Sequence, residues 1–201
     1  MLKKEITGII LCGGKSSRMK QNKALLKLNN QFIISYVISS LNAHCNDFIL
    51  STNTKELDFL NIKIAEDKHK NIGPIAGILS ALETSNTELN IIASCDTPFI
   101  STDLFNYLLS FSDNYEIVLP EINGFLQPMT GVFKKSIIKT INEEISNGNN
   151  VPPRIFKKTN LKIVKIDNSL KFYNKSLFFN INTKDDYEKA KQIMNKRIHK
   201  Q

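Results

Sequence analysis

The order of apolar runs predicts an α/β fold: one domain over residues 1–201, Rossmann-like and three-layered, with a mostly parallel twisted sheet flanked by helices. Three observations predict it. Short apolar runs of strand character alternate with segments of helical periodicity along the chain. The connections between them are short, and no repeat, linker or low-complexity segment interrupts the alternation. Crossover helices must bury their apolar faces on the sheet they connect, which demands parallel strands and a covering layer on each face. At 201 residues and 41% hydrophobic content, the chain is long enough for one substantial core and short for two.

The elements follow in order. EITGIIL (5–11) reads as a buried strand, followed by the loop CGGKSSRMKQNKALL and an amphipathic segment with Ile33, Tyr36, Val37 and Leu41 at helical spacing. DFILS (47–51) and residues 62–65 read as strands, Ile75, Ile78, Leu79 and Leu82 share one face of a helix, and residues 90–94 read as the next strand. Ser101 or Thr102 is placed to cap a helix carrying Leu104 and Leu108. YEIVLP (115–120) and GVFKK (131–135) read as strands, after which Ser136 is placed to cap SIIKTINEEISNG, with Gly148 as its stop. LKIVKID (161–167) reads as the last strand, and Thr183 with Asp186 forms a capping-box pattern ahead of a helix with Tyr187, Ala190 and Met194.

The formal net charge of +8 and a pI near 9.3 favour an anionic partner, which charge alone does not identify. The lysines are spread along the chain and are denser only in the last helix, where a solvated face accounts for them. Aromatic and basic residues are not interleaved as in nucleic-acid modules, so no nucleic acid is expected. No apolar run approaches membrane-spanning length, and the first residues carry no cleavage-site pattern, so no membrane is expected either and the chain reads as soluble and cytoplasmic. Cys12, Cys45 and Cys95 are odd in number and form no C-x-x-C, which argues against a disulfide framework or a zinc site and fits a reducing compartment. His44, His69 and His199 are scattered and receive no role.

In a parallel α/β sheet, ligands bind beyond the carboxyl ends of the strands. Three groups stand there: the Gly13-Gly14 loop, Asp67 and Asp96. Glycines directly after a buried strand let backbone N–H groups approach phosphate oxygens, although an isolated pair equally suits a tight turn. The cations that follow, Lys15, Arg18, Lys20 and Lys23, favour phosphate. The loop is not a Walker P-loop, because Ile9 stands where glycine is required and Gly8 is one residue out of register; nor is it G-x-G-x-x-G. A hard cation such as Mg²⁺ takes one or two carboxylates plus substrate phosphates, which Asp96 opposite such a loop could provide, while Asp96-Thr97-Pro98 alone reads more readily as a turn or cap.

The loop LCGGKSSRMKQNKALL closely resembles the L-A-G-G-x-S-x-R-M-G-x-D-K-x-L signature of molybdenum cofactor guanylyltransferases and related nucleotidyltransferases. Further segments match in order: IAEDKHKNIGPIAGILSAL is similar to E-D…G-P-L-A-G-I, SCDTPFIS to P-C-D-T-P-F/Y, FLQPMTGVFKKS to H-P-x-x-G/A-L-Y, and FFNINTKDDYEKA to F-x-N-I-N-T-P-E-D. The glycine loop is shared with sugar and cytidylyl enzymes, whereas GPIAGI, CDTP and NINT resemble the guanylyl branch.

This resemblance implies a fold of the nucleotide-diphospho-sugar transferase type and a Mg²⁺-dependent transfer of GMP from GTP to the terminal phosphate of molybdopterin. It implies that Leu11, Cys12, Gly13 and Gly14 wrap the nucleotide, that Lys23 contacts its phosphates with Arg18 nearby, and that Asp67 binds nucleotide. Asp96 matches the aspartate that holds Mg²⁺. Gly73, Pro74 and Gly77 match a segment near the guanine, either Ser51 or Asn53 a nucleotide contact, and Asn180 and Asn182 a segment associated with the pterin. Molybdoenzyme-maturation proteins are implied as partners. Cys12, Lys20 and Asn22 depart from the pattern, which has alanine, glycine and aspartate there, so Asn22 could hydrogen-bond Lys23 without balancing its charge. Cys12 reads as a small buried residue with no base to activate it. The rival readings are a cytidylyl or sugar-phosphate nucleotidyltransferase, a catalytically silent nucleotide-binding protein and, remotely, a basic nucleic-acid binder.

Overall fold

The computed structural model describes residues 5–13, 22–69 and 72–198. Within these residues the strands are β1 (Ile6–Leu11), the short pair β2 (Lys27–Leu28) and β3 (Gln31–Phe32), β4 (Asp47–Ser51), β5 (Lys63–Ala65), β6 (Leu89–Ser94), β7 (Ile117–Ile122), β8 (Phe125–Leu126), β9 (Gly131–Lys134) and β10 (Leu161–Ile166). The main sheet runs β10-β7-β9-β6-β1-β4-β5, with β8 paired on the end of β7. Every neighbour along it is parallel except β9, which is antiparallel to both β6 and β7. Asn123 (φ 52°) and Gly124 (φ 79°) form the tight turn between β7 and β8, which begins the return to β9 without a crossover helix.

The helices are α1 (Ile33–Leu41), α2 (Pro74–Thr84), α3 (Thr102–Leu109), α4 (Ile138–Ser146), the single turn α5 (Pro152–Phe156) and α6 (Lys184–Ile198). Strand side chains alternate between two apolar clusters, as expected of strands buried on both faces. Ile6, Ile10, Leu50, Ile91 and Ala93 pack with Val37 and Leu41 of α1 and Leu104, Phe105 and Leu108 of α3. Ile9, Leu11, Ile49, Ile92 and Phe133 pack with α2, with Ile141 of α4 and with Ile155 and Phe156 of α5. The expected three-layer α/β architecture is therefore present. Gly8 lies in β1 because a Cβ there would come within 2.8 Å of the Phe48 ring, which gives it a packing role apart from any phosphate loop. A third small cluster, Leu28, Ile33, Phe99, Ile181, Ala190 and Met194, holds the β2-β3 hairpin and α6 together.

Ser101 is the cap of α3, accepting from the Leu104 N–H at 3.4 Å, and Thr183 with Asp186 forms the predicted capping box. Gly148 (φ 79°) follows the end of α4 as expected. Ser136 does not cap that helix: a short 3-10 turn, Lys135–Ile137, intervenes, and the Ser136 hydroxyl donates to Glu116 at 2.8 Å. The carboxylate of Glu116 also accepts the Asn160 N–H, and these bonds hold it below its ordinary range. Among the described residues no helix is long and apolar enough to cross a membrane.

Candidate active site

The carboxyl edge of the two central strands brings the first groups together. β1 and β6 pair in register up to Leu11 and Ser94, and the Cys95 N–H continues the ladder to the Leu11 carbonyl at 3.0 Å. The Cys12 N–H bonds the Ser51 carbonyl of β4 at 2.9 Å. Gly13 and Asp96 are thereby set side by side beyond the sheet. Gly13 is exposed, with nothing within 4 Å of where a Cβ would lie, so its backbone is open to a ligand. Gly14, Lys15, Arg18 and Lys20 lie outside the described residues.

Lys23 reaches this edge from a 3-10 turn, Lys23–Leu25, whose cap is Asn22. Asn22 accepts the Ala24 N–H at 3.1 Å and donates to Glu56 at 2.9 Å, so it fixes the backbone under Lys23 through bonds other than the direct one anticipated. The Lys23 ammonium stands 3.5 Å from Asp96 Oδ2 and donates to Asn182 Oδ1 at 2.6 Å. Charge balance at Lys23 thus comes from Asp96. The other oxygen of Asp96 accepts the Ser94 hydroxyl at 2.7 Å, and the Asp96 carbonyl accepts the Ile181 N–H at 3.0 Å. Thr97, whose hydroxyl donates to the Ser94 carbonyl at 2.8 Å, secures the turn, which leaves the Asp96 carboxylate free of any capping duty. Asn182 is held in turn by its N–H bond to Asp186 at 3.1 Å, inside the capping box of α6. Asn180 is exposed beside it.

A second corner forms where β4 and β5 end. Asn53, which is exposed, accepts the Asp67 N–H at 2.8 Å, whereas Ser51 is buried. Gly77 of α2 permits this closeness: a Cβ there would fall 2.5 Å from the Ser51 hydroxyl and 3.3 Å from Asp67 Oδ1. That carboxylate oxygen is buried and has no hydrogen-bond partner among the described residues, and burial raises the Asp67 pKa. Gly73, at φ 79°, precedes α2, and Pro74 opens it at a position where its missing N–H costs nothing.

The thiol of Cys12 contacts Cys95, and this hydrogen bond, together with burial, holds it protonated well above the ordinary range. It is neither a ready nucleophile nor a soft metal ligand. Among the described residues no three His, Cys, Asp or Glu side chains cluster as a closed metal cage. What the described residues offer is one hard carboxylate facing the Lys23 ammonium beside Gly13. That donor set fits Mg²⁺, which retains waters and takes further oxygens from phosphates, and it does not suit zinc.

Residues 8–160 match the family described as the MobA-like NTP transferase domain. The chain belongs to this family. A protein named probable molybdenum cofactor guanylyltransferase, from Clostridium perfringens, is 36% identical over 200 residues, spanning 96% of this chain and 100% of its own. The molybdenum cofactor guanylyltransferase of Desulfosudis oleivorans is 30% identical over 191 residues, spanning 92% and 94%. Among solved structures, molybdopterin-guanine dinucleotide biosynthesis protein A from Archaeoglobus fulgidus superposes with a TM-score of 0.79 at 23% identity, covering 94% of this chain and 99% of its own. The 4-diphosphocytidyl-2C-methyl-D-erythritol synthase of Anaerococcus prevotii gives 0.73 at 14% identity, covering 96% and 99%. These structural likenesses establish the nucleotidyltransferase fold, which guanylyl and cytidylyl enzymes share. The structure unites Lys23 and Asp96 of this MobA-like domain with Asn182 beyond it, and separately Ser51, Asn53, Asp67 and Gly77. Ser94 escaped sequence reading; its signal was a hydroxyl two positions before a strand-end aspartate.

Proposed function

We propose that this MobA-like transferase moves GMP from GTP onto the terminal phosphate of molybdopterin, releasing pyrophosphate and forming the guanine dinucleotide cofactor. The convergence of Lys23 and Asp96 beside Gly13 carries the nucleotidyl-transfer part of this reading. The near full-length likeness to proteins named guanylyltransferases supports the guanine and the pterin. A phosphate monoester is already an anionic nucleophile, so an in-line attack on the α-phosphate calls for alignment and charge neutralisation, with no side-chain base. Lys23 has three donors; Asn182 takes one, Asp96 attracts another, and one is left for a phosphate oxygen. The exposed N–H groups at Gly13 would bind the same polyphosphate.

Asp96 is the residue that would hold Mg²⁺. When bound, the ion supplies charge neutralisation for the triphosphate and the departing pyrophosphate. Asp67 is assigned to the guanine, because the guanine edge offers an N–H beside an amino group, a donor pair that a carboxylate accepts and cytosine does not present. Asn53 holds the Asp67 backbone in place for that contact. Asn180 and the outer face of Asn182 are assigned to the pterin. The free cysteines accord with work in the cytoplasm, where molybdoenzyme-maturation proteins would receive the product.

The test is incubation with molybdopterin, Mg²⁺ and each nucleoside triphosphate, followed by identification of the product. GMP transfer with pyrophosphate release is expected, and Asp96→Ala should lower the rate by about a hundredfold or more. Transfer from CTP, turnover with a sugar phosphate alone, or a fully active Asp96→Ala protein would each overturn the corresponding part of the proposal.

A further inference from the structure

We infer that Ser94 is a positioning residue for the transfer reaction, setting the Asp96 carboxylate so that one defined oxygen faces the incoming cation and phosphates. The inference rests on the functional reading above. It begins from the two oxygens of Asp96, which have different surroundings. Oδ1 accepts the Ser94 hydroxyl at 2.7 Å, while Oδ2 faces the Lys23 ammonium at 3.5 Å. The carboxylate is largely enclosed, with its side chain 17% exposed, so these two contacts decide its orientation.

Ser94 is well suited to hold it. Its backbone is the last position of β6, in register with Leu11 of β1, and its carbonyl is pinned by the Thr97 hydroxyl at 2.8 Å. The next peptide is locked as well, since the Cys95 N–H bonds the Leu11 carbonyl and the Asp96 carbonyl accepts the Ile181 N–H. Donor and acceptor therefore sit on a backbone braced on both sides, and only side-chain torsions are left to fix. A hydroxyl donating to an ionised oxygen is among the stronger hydrogen bonds, and the partner that orients a metal-binding carboxylate commonly sets its affinity. The C-D-T-P pattern described above has proline at this position, which has no side-chain donor. In this chain the hydroxyl supplies an orientation that proline could not.

The role predicts a change in cation affinity rather than in folding. In the full-length protein, Ser94→Ala should weaken Mn²⁺ binding in the presence of GTP by about tenfold, read from the electron paramagnetic resonance signal of free Mn²⁺. The Mg²⁺ concentration giving half-maximal transfer should rise in step, with a much smaller fall in kcat at saturating Mg²⁺. Ser94→Thr, which keeps the hydroxyl, should restore the affinity, and the melting temperature reports whether either variant is perturbed in its fold. Unchanged Mn²⁺ affinity and Mg²⁺ dependence in a folded, active Ser94→Ala protein would overturn the inference and leave the proposed function standing. So would an equal loss in the threonine and alanine variants. A wild-type protein that binds no Mn²⁺ with GTP and releases no pyrophosphate would overturn the functional reading, and this inference with it.

Discussion

Asp67 is a residue whose burial works against the fold and to which the proposed function gives the guanine contact. Its Oδ1 is buried beside Gly77 with no donor among the described residues, and desolvation raises its pKa. With the folded-state pKa above the unfolded value, the native chain binds more protons between the two, and stability falls as pH rises through that window. Asp67→Asn should therefore melt higher than wild type at pH 7, and the difference should vanish below about pH 3, where the carboxyl is protonated in both states. The same variant should bind GTP about ten- to a hundredfold more weakly, by losing a charged acceptor, and should discriminate less between GTP and ITP. A variant that is neither more stable nor weaker in binding would remove Asp67 from the guanine contact. The sequence put Asp67 at a strand end, but its unpaired oxygen is a fact of three-dimensional packing that no spacing encodes.

Among the elements, α2 is the one whose composition is tied to the site. It is buried from Ile75 to Leu82, and within that run Gly77 is the position where the helix backbone meets the Ser51 hydroxyl. Gly77→Ala should overpack this contact, costing about 1–3 kcal/mol and weakening GTP binding. Ser51→Ala in the same chain should recover part of the stability, because the two changes share one clash; strictly additive losses in a denaturant series would refute the contact. Periodicity revealed the existence and the apolar face of α2, as it did for α1, α3 and β6, since burial on a sheet imposes a repeating pattern. It did not reveal the 3-10 turn Lys55–Leu60, the β2-β3 hairpin or α5, which are too short to show a period and are set by local caps such as Thr54. Ser136 misled for a related reason. A capping residue type ahead of an apolar run suggests a helix start, but here Glu116 claimed the hydroxyl.

At the scale of the whole molecule, the site is a clasp between the two ends of the chain. Lys23 and Asn182 are bonded across 159 positions, and Ile181 both bonds Asp96 and fills the small cluster with Leu28, Phe99, Ala190 and Met194. Motif matching placed these residues in one site, yet a pairing across such a separation leaves no mark in local spacing. A chain ending at Ser176 should keep the main sheet, whose two large clusters draw almost wholly on earlier residues, while losing about 1.5–3 kcal/mol for the burial of Ile181 alone and all transfer activity. Circular dichroism and pyrophosphate release would check this, and an active truncated protein would refute the clasp. The clasp also bears on how the protein is made. Synthesis runs from the amino terminus, so β1, Lys23 and Asp96 are made well before Asn182 is added. A nascent or prematurely terminated chain can fold its sheet but leaves the Lys23 ammonium without its asparagine partner. On the proposed function, tight nucleotide binding should then be acquired only once the segment carrying Asn182 has been made.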